Sequence, residues 1–160
     1  MKKWLGKTEL KWALIFVLVS LLWMMMEKAL GWHDEKLAQQ QWLTLLFIPV
    51  GIGVYVFALL DKRKNDLHGR MTWKKGFASG MGITLIITLL APLTQYIIST
   101  WITPQYFDNV IQYTIEHQMM TPGEANAQFN LNNYMLQSTV FSLVSGVLTS
   151  ALVALFVKNR

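Results

Sequence analysis

Four long apolar stretches divide the chain, and polar segments separate each stretch from the next. A helix needs roughly 20 residues to cross about 30 Å of hydrocarbon. The stretches approach or exceed that length, and they cover approximately residues 8–30, 42–60, 76–101 and 135–157. None of them alternates apolar and polar positions over any length, which argues against a membrane barrel. The pattern therefore predicts four transmembrane helices.

The segment between the third and fourth stretches, residues 103–134, has a helical pattern of its own. Pro104 can begin a helix, and apolar residues then recur at spacings of one, three and four: Tyr106, Phe107, Val110, Ile111, Ile115 and Met119. An amphipathic helix is predicted, lying either on the membrane surface or over the end of the bundle. Thr121, Pro122 and Glu124 have the order of a capping box, which predicts a second short helix.

These elements define the fold class and the domain organisation. The fold class is all-α: a four-transmembrane-helix bundle with a short external helical insert between the third and fourth spans. Residues 1–160 then form a single integral membrane domain. Composition agrees, because 53% of the residues are hydrophobic and 14% are charged, whereas roughly 25% charge is usual in soluble domains.

The basic residues predict an orientation in the membrane. Of the 14 Lys and Arg residues, twelve lie before or in the first turn of the first span, between the second and third, or after the fourth. The other two, Lys28 and Lys36, lie in the last turn of the first span and in the connection after it. The positive-inside rule then puts both termini in the cytoplasm and the insert outside. This placement also assigns the net charge of +5 to anionic lipid headgroups rather than to nucleic acid.

Glu27 is a carboxylate near the end of the first apolar stretch. The helix must reach about Leu30 to cross the membrane, and Gly31 is suited to the left-handed position that ends a helix. Glu27 then lies at headgroup depth, and we expect it to extend outward beside Lys28, with Trp32 as an interfacial residue. The alternative is that Glu27 turns inward against the bundle and takes part in ion or proton handling.

Small residues mark close helix contacts in the third and fourth spans. In the fourth span they recur every four residues, at Ser138, Ser142, Gly146, Ser150 and Ala154. The third span opens with a G-x-x-x-G pair, Gly76 and Gly80, and a second small pair at positions 78 and 82. We expect packing within one chain, with a seam between two copies as the alternative. Pro49 and Pro92 are predicted to bend the second and third spans.

The sequence assigns no catalytic residue, cofactor-binding residue or metal ligand. It has no cysteine, and it lacks the motifs of zinc proteases, serine hydrolases and P-loop proteins. Two external groups, His33 with Asp34 and Glu35 and His117 with Glu116, could share a divalent cation if the external loops touch. Their spacing instead favours solvated loop residues.

Several motifs, taken in order, are similar to those of a known family. They are Glu27 with Gly31, "LDKRK" after the second span, "TWKKGFASGMG" entering the third, "TPQYFDNV" after it, and "TPGEANA". Over nearly its whole length the chain resembles small four-helix bacterial membrane proteins grouped as a domain of unknown function. The resemblance implies a four-helix bacterial membrane protein with an external helical insert, which we expect in the cytoplasmic membrane. It implies no activity and no catalytic residue.

The expected function is non-catalytic. We expect an accessory or scaffold protein of the lipid bilayer that engages itself or another membrane protein through the small-residue stripe and the external helices. A small transporter or channel subunit, with its path along the Pro and Gly positions of the second and third spans, is the alternative, and an intramembrane enzyme comes third. A polar cavity at mid-membrane would favour transport, whereas a sealed core with an exposed external apolar face would favour a partner.

Overall fold

The structure is a computed structural model that describes residues 6–34 and 36–159, and these residues form seven α-helices. The helices are α1 Lys7–Ala29, α2 Leu37–Thr44, α3 Phe47–Asp61, α4 Trp73–Ile97, α5 Tyr106–Glu116, α6 Pro122–Gln128 and α7 Leu131–Val157. Turns of π-helix extend α3 through Lys62–Asp66 and α4 through Ile98–Ile102. Four residues used in the charge and cation arguments lie outside the described residues: Lys2, Lys3, Glu35 and Arg160.

Four helical segments of the described chain are long and apolar enough to cross a membrane. They are Lys7–Ala29, Trp42–Asp66, Trp73–Ile102 and Leu131–Val157. The all-α, four-span architecture is thus confirmed for a multi-pass membrane protein. We call the end of the bundle that carries the start of α1 and the α3–α4 connection the basic end. The opposite end, which carries α2, α5 and α6, is the insert end.

The most extensive contact in the bundle joins α4 and α7, which pack through their small residues. The facing pairs are Gly76 with Ala154, Gly80 with Ser150, Thr84 with Gly146 and Thr88 with Ser142. A Cβ atom built on Gly146 would lie 2.4 Å from Cγ2 of Thr84, so the two helices approach as closely as glycine allows. The stripe of the fourth span therefore faces the third span of the same chain. The prediction of packing within one chain is confirmed.

Further contacts place α1 against α3 and α4, and α3 against α4 and α7. A buried apolar cluster fills the bundle from the basic end to its middle: Ala13, Tyr55, Ala58, Leu59, Met71, Ile83, Ile87, Val153, Ala154 and Val157. The half nearer the insert end contains a partly open cavity. The buried apolar cluster and the cavity therefore lie in different halves of the bundle.

The prolines of the second and third spans lie at different places in their helices. Pro49 is the third residue of α3, and the helix is interrupted before it, between Thr44 and Phe47. The first N–H groups of a helix have no intrahelical acceptor, so proline costs little there. Pro92 lies inside α4, which continues through it to Ile97.

The insert consists of two short helices, as predicted. The capping box at the start of α6 is formed, since Thr121 Oγ1 accepts the N–H of Glu124 at 3.3 Å and the Glu124 carboxylate accepts the N–H of Thr121 at 2.9 Å. The latter hydrogen bond holds the pKa of Glu124 below its usual value. On α5, Val110 is buried and the Tyr106 hydroxyl lies 3.3 Å from that of Tyr134 on α7. The insert therefore covers part of the end of the bundle.

Candidate functional site

The geometry of the insert end begins with the turn that ends α1. Gly31 has a φ of +72°, the left-handed conformation predicted for it. The N–H of Trp32 donates to the carbonyl of Glu27 at 3.1 Å, and the N–H of Gly31 donates to the carbonyl of Lys28 at 3.0 Å. These two hydrogen bonds form a Schellman motif. The motif folds Trp32 and His33 back over the last turn of α1.

Glu27 lies at the centre of a buried polar network. Its side chain is 0% exposed. Trp23 Nε1 donates to Oε1 at 2.5 Å, Thr44 Oγ1 donates to Oε2 at 3.2 Å, and His33 Nε2 lies 2.8 Å from Oε2. The three partners come from α1, α2 and the connection between them. A buried carboxylate is stable when it is paired and hydrogen-bonded in this way.

The prediction that Glu27 extends outward beside Lys28 is wrong. Lys28 is exposed, but Glu27 points into the bundle. Trp32, expected at the interface, is buried and packs against Trp23 with 6.4 Å between ring centroids. The reason is the turn at Gly31, because it brings an imidazole and an indole over the end of α1 and so removes the carboxylate from water.

His33 is also buried rather than solvated, with 2% of its surface exposed. The ring of Tyr106 packs against it at 5.4 Å between centroids. The side-chain amide of Asn109 donates to the carbonyl of His33 at 3.3 Å and also donates to the carboxylate of Asp34. The two external connections therefore touch. His117 remains exposed, and the described residues contain no cluster of three acidic or histidine side chains suited to a metal ion.

A second buried carboxylate, Glu9, lies at the basic end and was missed by the sequence analysis. It is 1% exposed. The Lys62 ammonium lies 2.8 Å from its Oε1, Ser79 Oγ donates to Oε1 at 2.6 Å, and the N–H of Gly6 donates to Oε2 at 2.8 Å. Helical spacing could have identified it, because Glu9 lies four residues before Ala13 and so on the core face of α1.

A cavity of about 330 Å³ lies between α1, α3, α4 and α7, toward the insert end. Aromatic and aliphatic side chains form much of its wall: Phe16, Phe47, Ile87, Ala91 and Ile98. The serine hydroxyls in the wall bond to carbonyl groups of their own helices, as when Ser20 donates to the carbonyl of Val17 and Ser145 to that of Phe141. The cavity therefore presents a mainly apolar surface.

The boundaries of the cavity determine what can enter it. Ile48 of α3 and Phe141 of α7 line it and are 49% and 70% exposed on the outside of the bundle, so the cavity opens toward the outer surface of the bundle beside these helices. Toward the basic end, the Tyr55 hydroxyl lies 2.8 Å from Thr84 Oγ1, which lies 3.3 Å from Ser150 Oγ. These buried groups separate the cavity from the basic end.

Comparison with known proteins gives a family but no described activity. No curated protein and no solved structure matches the chain. A family model described as "Protein of unknown function (DUF4199)" matches residues 11–159, which include all four spans except the first turn of α1. The match confirms the resemblance that the motifs indicated. The chain therefore belongs to the DUF4199 family of proteins of unknown function.

Proposed function

We propose that this protein is a non-catalytic membrane protein that binds a lipophilic molecule from the surrounding bilayer. The observation that carries the proposal is the cavity of about 330 Å³ between α1, α3, α4 and α7. Ligand pockets in proteins range from roughly 300 to 1,000 Å³, so this volume suits a small ligand or one lipid chain. The ligand enters sideways past Ile48 and Phe141.

The chemistry of the wall supports an apolar ligand. Because the serine hydroxyls of the wall bond to their own helices, these donors keep their partners when an apolar ligand fills the cavity. The side-chain amide of Gln95 also lines the cavity, and its nitrogen donates to the hydroxyl of Ser99 at 3.0 Å. The amide oxygen can accept a hydrogen bond from a single polar group on the ligand.

An accessory or scaffold role has less support from the geometry. The sequence offered two surfaces for another copy of the chain or a second membrane protein, the small-residue stripe and the apolar face of α5. The stripe packs against α4, and α5 buries Val110 and packs Tyr106 against the bundle end. Transport, the other alternative, shares the cavity with our proposal and requires an opening past Tyr55 and Thr84 as well.

Photocrosslinking tests the proposal directly. A fatty acid carrying a diazirine, incorporated into vesicles with the protein, should label residues that line the cavity, such as Gly51 and Ser142. Ser145→Phe places a ring at the cavity margin and should reduce this labelling by at least about fivefold, because the ring occupies ligand volume. Mass spectrometry of peptides measures labelling at the cavity and at Leu89, which is 80% exposed on the outside of the third span.

Leu148→Phe is the matched control, because Leu148 is 60% exposed and lies outside the cavity wall. It should leave cavity labelling unchanged. Labelling at Leu89 should be the same in all three proteins. The proposal is contradicted if cavity residues are labelled no more than Leu89 in the unmodified protein, or if both phenylalanine variants label alike.

The proposal includes an orientation of the protein in the membrane. We infer that the protein lies in a bacterial cytoplasmic membrane with both termini and the basic end in the cytoplasm. The support is the excess of Lys and Arg around the α3–α4 connection and before α1, which the positive-inside rule assigns to the cytoplasm. The cavity then takes its ligand from the outer leaflet.

A further inference from the structure

The residues that line the cavity describe its shape. They form one stripe at helical spacing on each of the four spans, within residues 16–24, 44–55, 87–98 and 138–149. Three of these stripes extend over eleven residue steps, which is about 16 Å or more along the bundle at about 1.5 Å per residue. Spread over that length, the volume of about 330 Å³ gives a mean cross-section of about 20 Å² or less. The cavity is therefore a slot, much longer than it is wide, that runs along the helices.

The end of the slot nearer the basic end is closed by Tyr55. Its ring lines the slot and is buried, and its hydroxyl lies 2.8 Å from Oγ1 of Thr84, which fixes the ring between α3 and α4. Leu59 and Ile83, one helical turn further toward the basic end, are buried in the apolar cluster and do not line the slot. The ring of Tyr55 is therefore the floor of the slot.

The other end of the slot lies close to the depth of lipid headgroups. Ile98 is the last residue of the third span that lines the slot, and the span ends four residues later, at Ile102. The lining therefore stops about 6 Å before the end of the span. Two lining residues at this end, Thr44 and Gln95, have polar side chains. The slot thus has an aromatic floor within the bundle and a more polar end toward the membrane surface.

The surroundings of the bundle indicate what can fill the slot. Beside Ile48 and Phe141 the slot opens toward the outside of the bundle, within two segments that are long and apolar enough to cross a membrane. At this depth the molecules outside the bundle are the acyl chains of the bilayer. An acyl chain in the slot supplies van der Waals contacts to side chains that otherwise face a void.

We propose that the slot holds one unbranched acyl chain of a membrane lipid, extended along the helices with its terminal methyl group against Tyr55 and its polar end toward the insert end. The inference rests on the proposed function and narrows its ligand to one class. A slender, flexible chain fits the length and width of the slot, whereas a compact ring system of the same volume does not. Tyr55 then sets how deeply the chain can reach.

Two photoreactive forms of one fatty acid test the direction of the chain. One form carries its diazirine at the terminal carbon, and the other carries it next to the carboxyl group. In vesicles, the first form should favour Tyr55 and Gly146 at the floor, and the second should favour Gln95 and Ile98. Mass spectrometry compares the two forms at each residue, so that the reactivity of the residue itself cancels. We expect this ratio to change several-fold from one end of the slot to the other.

A phosphatidylglycerol with the diazirine at either position of one chain identifies the source of the chain. If it labels the floor as the fatty acid does, a chain of an intact membrane lipid enters the slot; if only the fatty acid labels the floor, the chain is that of a free fatty acid. Even labelling along the slot by both forms, or the reverse order, would overturn the inference and leave the proposed function in place. No labelling of Gly51 and Ser142 by any probe would contradict the proposed function itself.

Tyr55→Ala tests the floor, with Tyr55→Phe as the matched control. Tyr55→Ala removes the ring, so the terminal diazirine should also label Leu59. Tyr55→Phe loses only the hydroxyl, so it should label as the unmodified protein does. Circular dichroism and gel filtration in detergent micelles show whether each variant is folded, and the direction of labelling in the unmodified protein tests the inference even if Tyr55→Ala does not fold. A folded Tyr55→Ala without label at Leu59 would show that the chain does not end at Tyr55.

Discussion

At the scale of single residues, one face of α1 carries two buried carboxylates, one near each end of the bundle. Glu9 and Glu27 are both buried, and each is held by donors from other parts of the chain. Near each end a tryptophan of α1 donates its indole N–H to a carboxylate, Trp12 to Asp61 at 2.6 Å and Trp23 to Glu27 at 2.5 Å. Tryptophan suits this depth because its ring is apolar and its N–H is polar.

The burial of Glu27 gives a prediction about stability. Glu27→Gln removes the charge that pairs with His33 and places an NH₂ group among the donors of Trp23 and Thr44. The free energy of unfolding should fall by roughly 2–4 kcal/mol, because a buried polar network loses one member. Equilibrium unfolding by increasing fractions of sodium dodecyl sulfate in mixed micelles measures the change.

The control for this prediction is Glu116→Gln on α5. Glu116 is exposed and accepts a hydrogen bond from Gln112 at 2.7 Å, so the same substitution there should change stability by less than about 0.5 kcal/mol. Equal stability of the two variants would show that the Glu27 network contributes little. The comparison isolates burial, since the chemical change is identical.

The sequence contained part of the information about these residues. Glu9, Ala13, Phe16, Ser20, Trp23 and Glu27 recur at alternating spacings of four and three, which is the spacing of one helix face. That spacing shows which face of α1 both carboxylates share. The partners of Glu27 could not be read in the same way, because Thr44 comes 17 residues later and His33 arrives through the turn at Gly31. The sequence predicted this turn correctly but not what it covers.

At the scale of helices, the α4–α7 pair is the tightest contact and the source of a second prediction. Gly146→Ala should lower the free energy of unfolding by about 1–3 kcal/mol, because the added Cβ would lie 2.4 Å from Cγ2 of Thr84 and force the helices apart. Gly53 of α3 is the matched position, since a Cβ there meets nothing within 4 Å. Gly53→Ala should be neutral or stabilise by about 0.5–1 kcal/mol through helix propensity. Similar losses at both glycines would contradict the packing argument.

A pair of substitutions, at Gly80 of α4 and Ser150 of α7, tests the contact between these helices at a second position. Gly80→Ala places a Cβ 2.7 Å from the Cβ of Ser150. Adding Ser150→Gly should restore most of the stability that Gly80→Ala loses, because it removes the atoms that clash. A double-mutant cycle measured in micelles gives the coupling, expected at about 1–2 kcal/mol. If the changes in the free energy of unfolding of the two single variants simply add in the double variant, α4 and α7 do not meet at Gly80 and Ser150.

The element scale also shows where sequence analysis reaches its limit. The recurrence of small residues predicted a close helix contact, and the G-x-x-x-G pair of the third span predicted another. Spacing within each helix cannot say whether two such faces meet each other or meet a second copy, because both arrangements bury the same residues. The cavity was not predicted, since it depends on how four helices separate at one end.

At the scale of the whole molecule, the arrangement of basic residues predicts how the protein lies in the membrane. The chain has no cysteine, so single cysteines can be introduced without background. Asn65 at the basic end and Asn126 in α6 are both exposed. In intact cells a membrane-impermeant maleimide should label Asn126→Cys, while Asn65→Cys should react only after lysis. The reverse pattern would contradict the proposed orientation.

The pairing of α4 with α7 has a consequence for how the protein is made. During translation α4 enters the membrane before the insert and α7 have been synthesised, so Gly76, Gly80 and Thr84 first face lipid or the insertion machinery. Only when α7 follows can these residues meet Ser150 and Gly146. A ribosome that stalls within the insert would therefore leave an incomplete helix pair in the bilayer, with a glycine-lined groove that membrane proteases and chaperones can recognise.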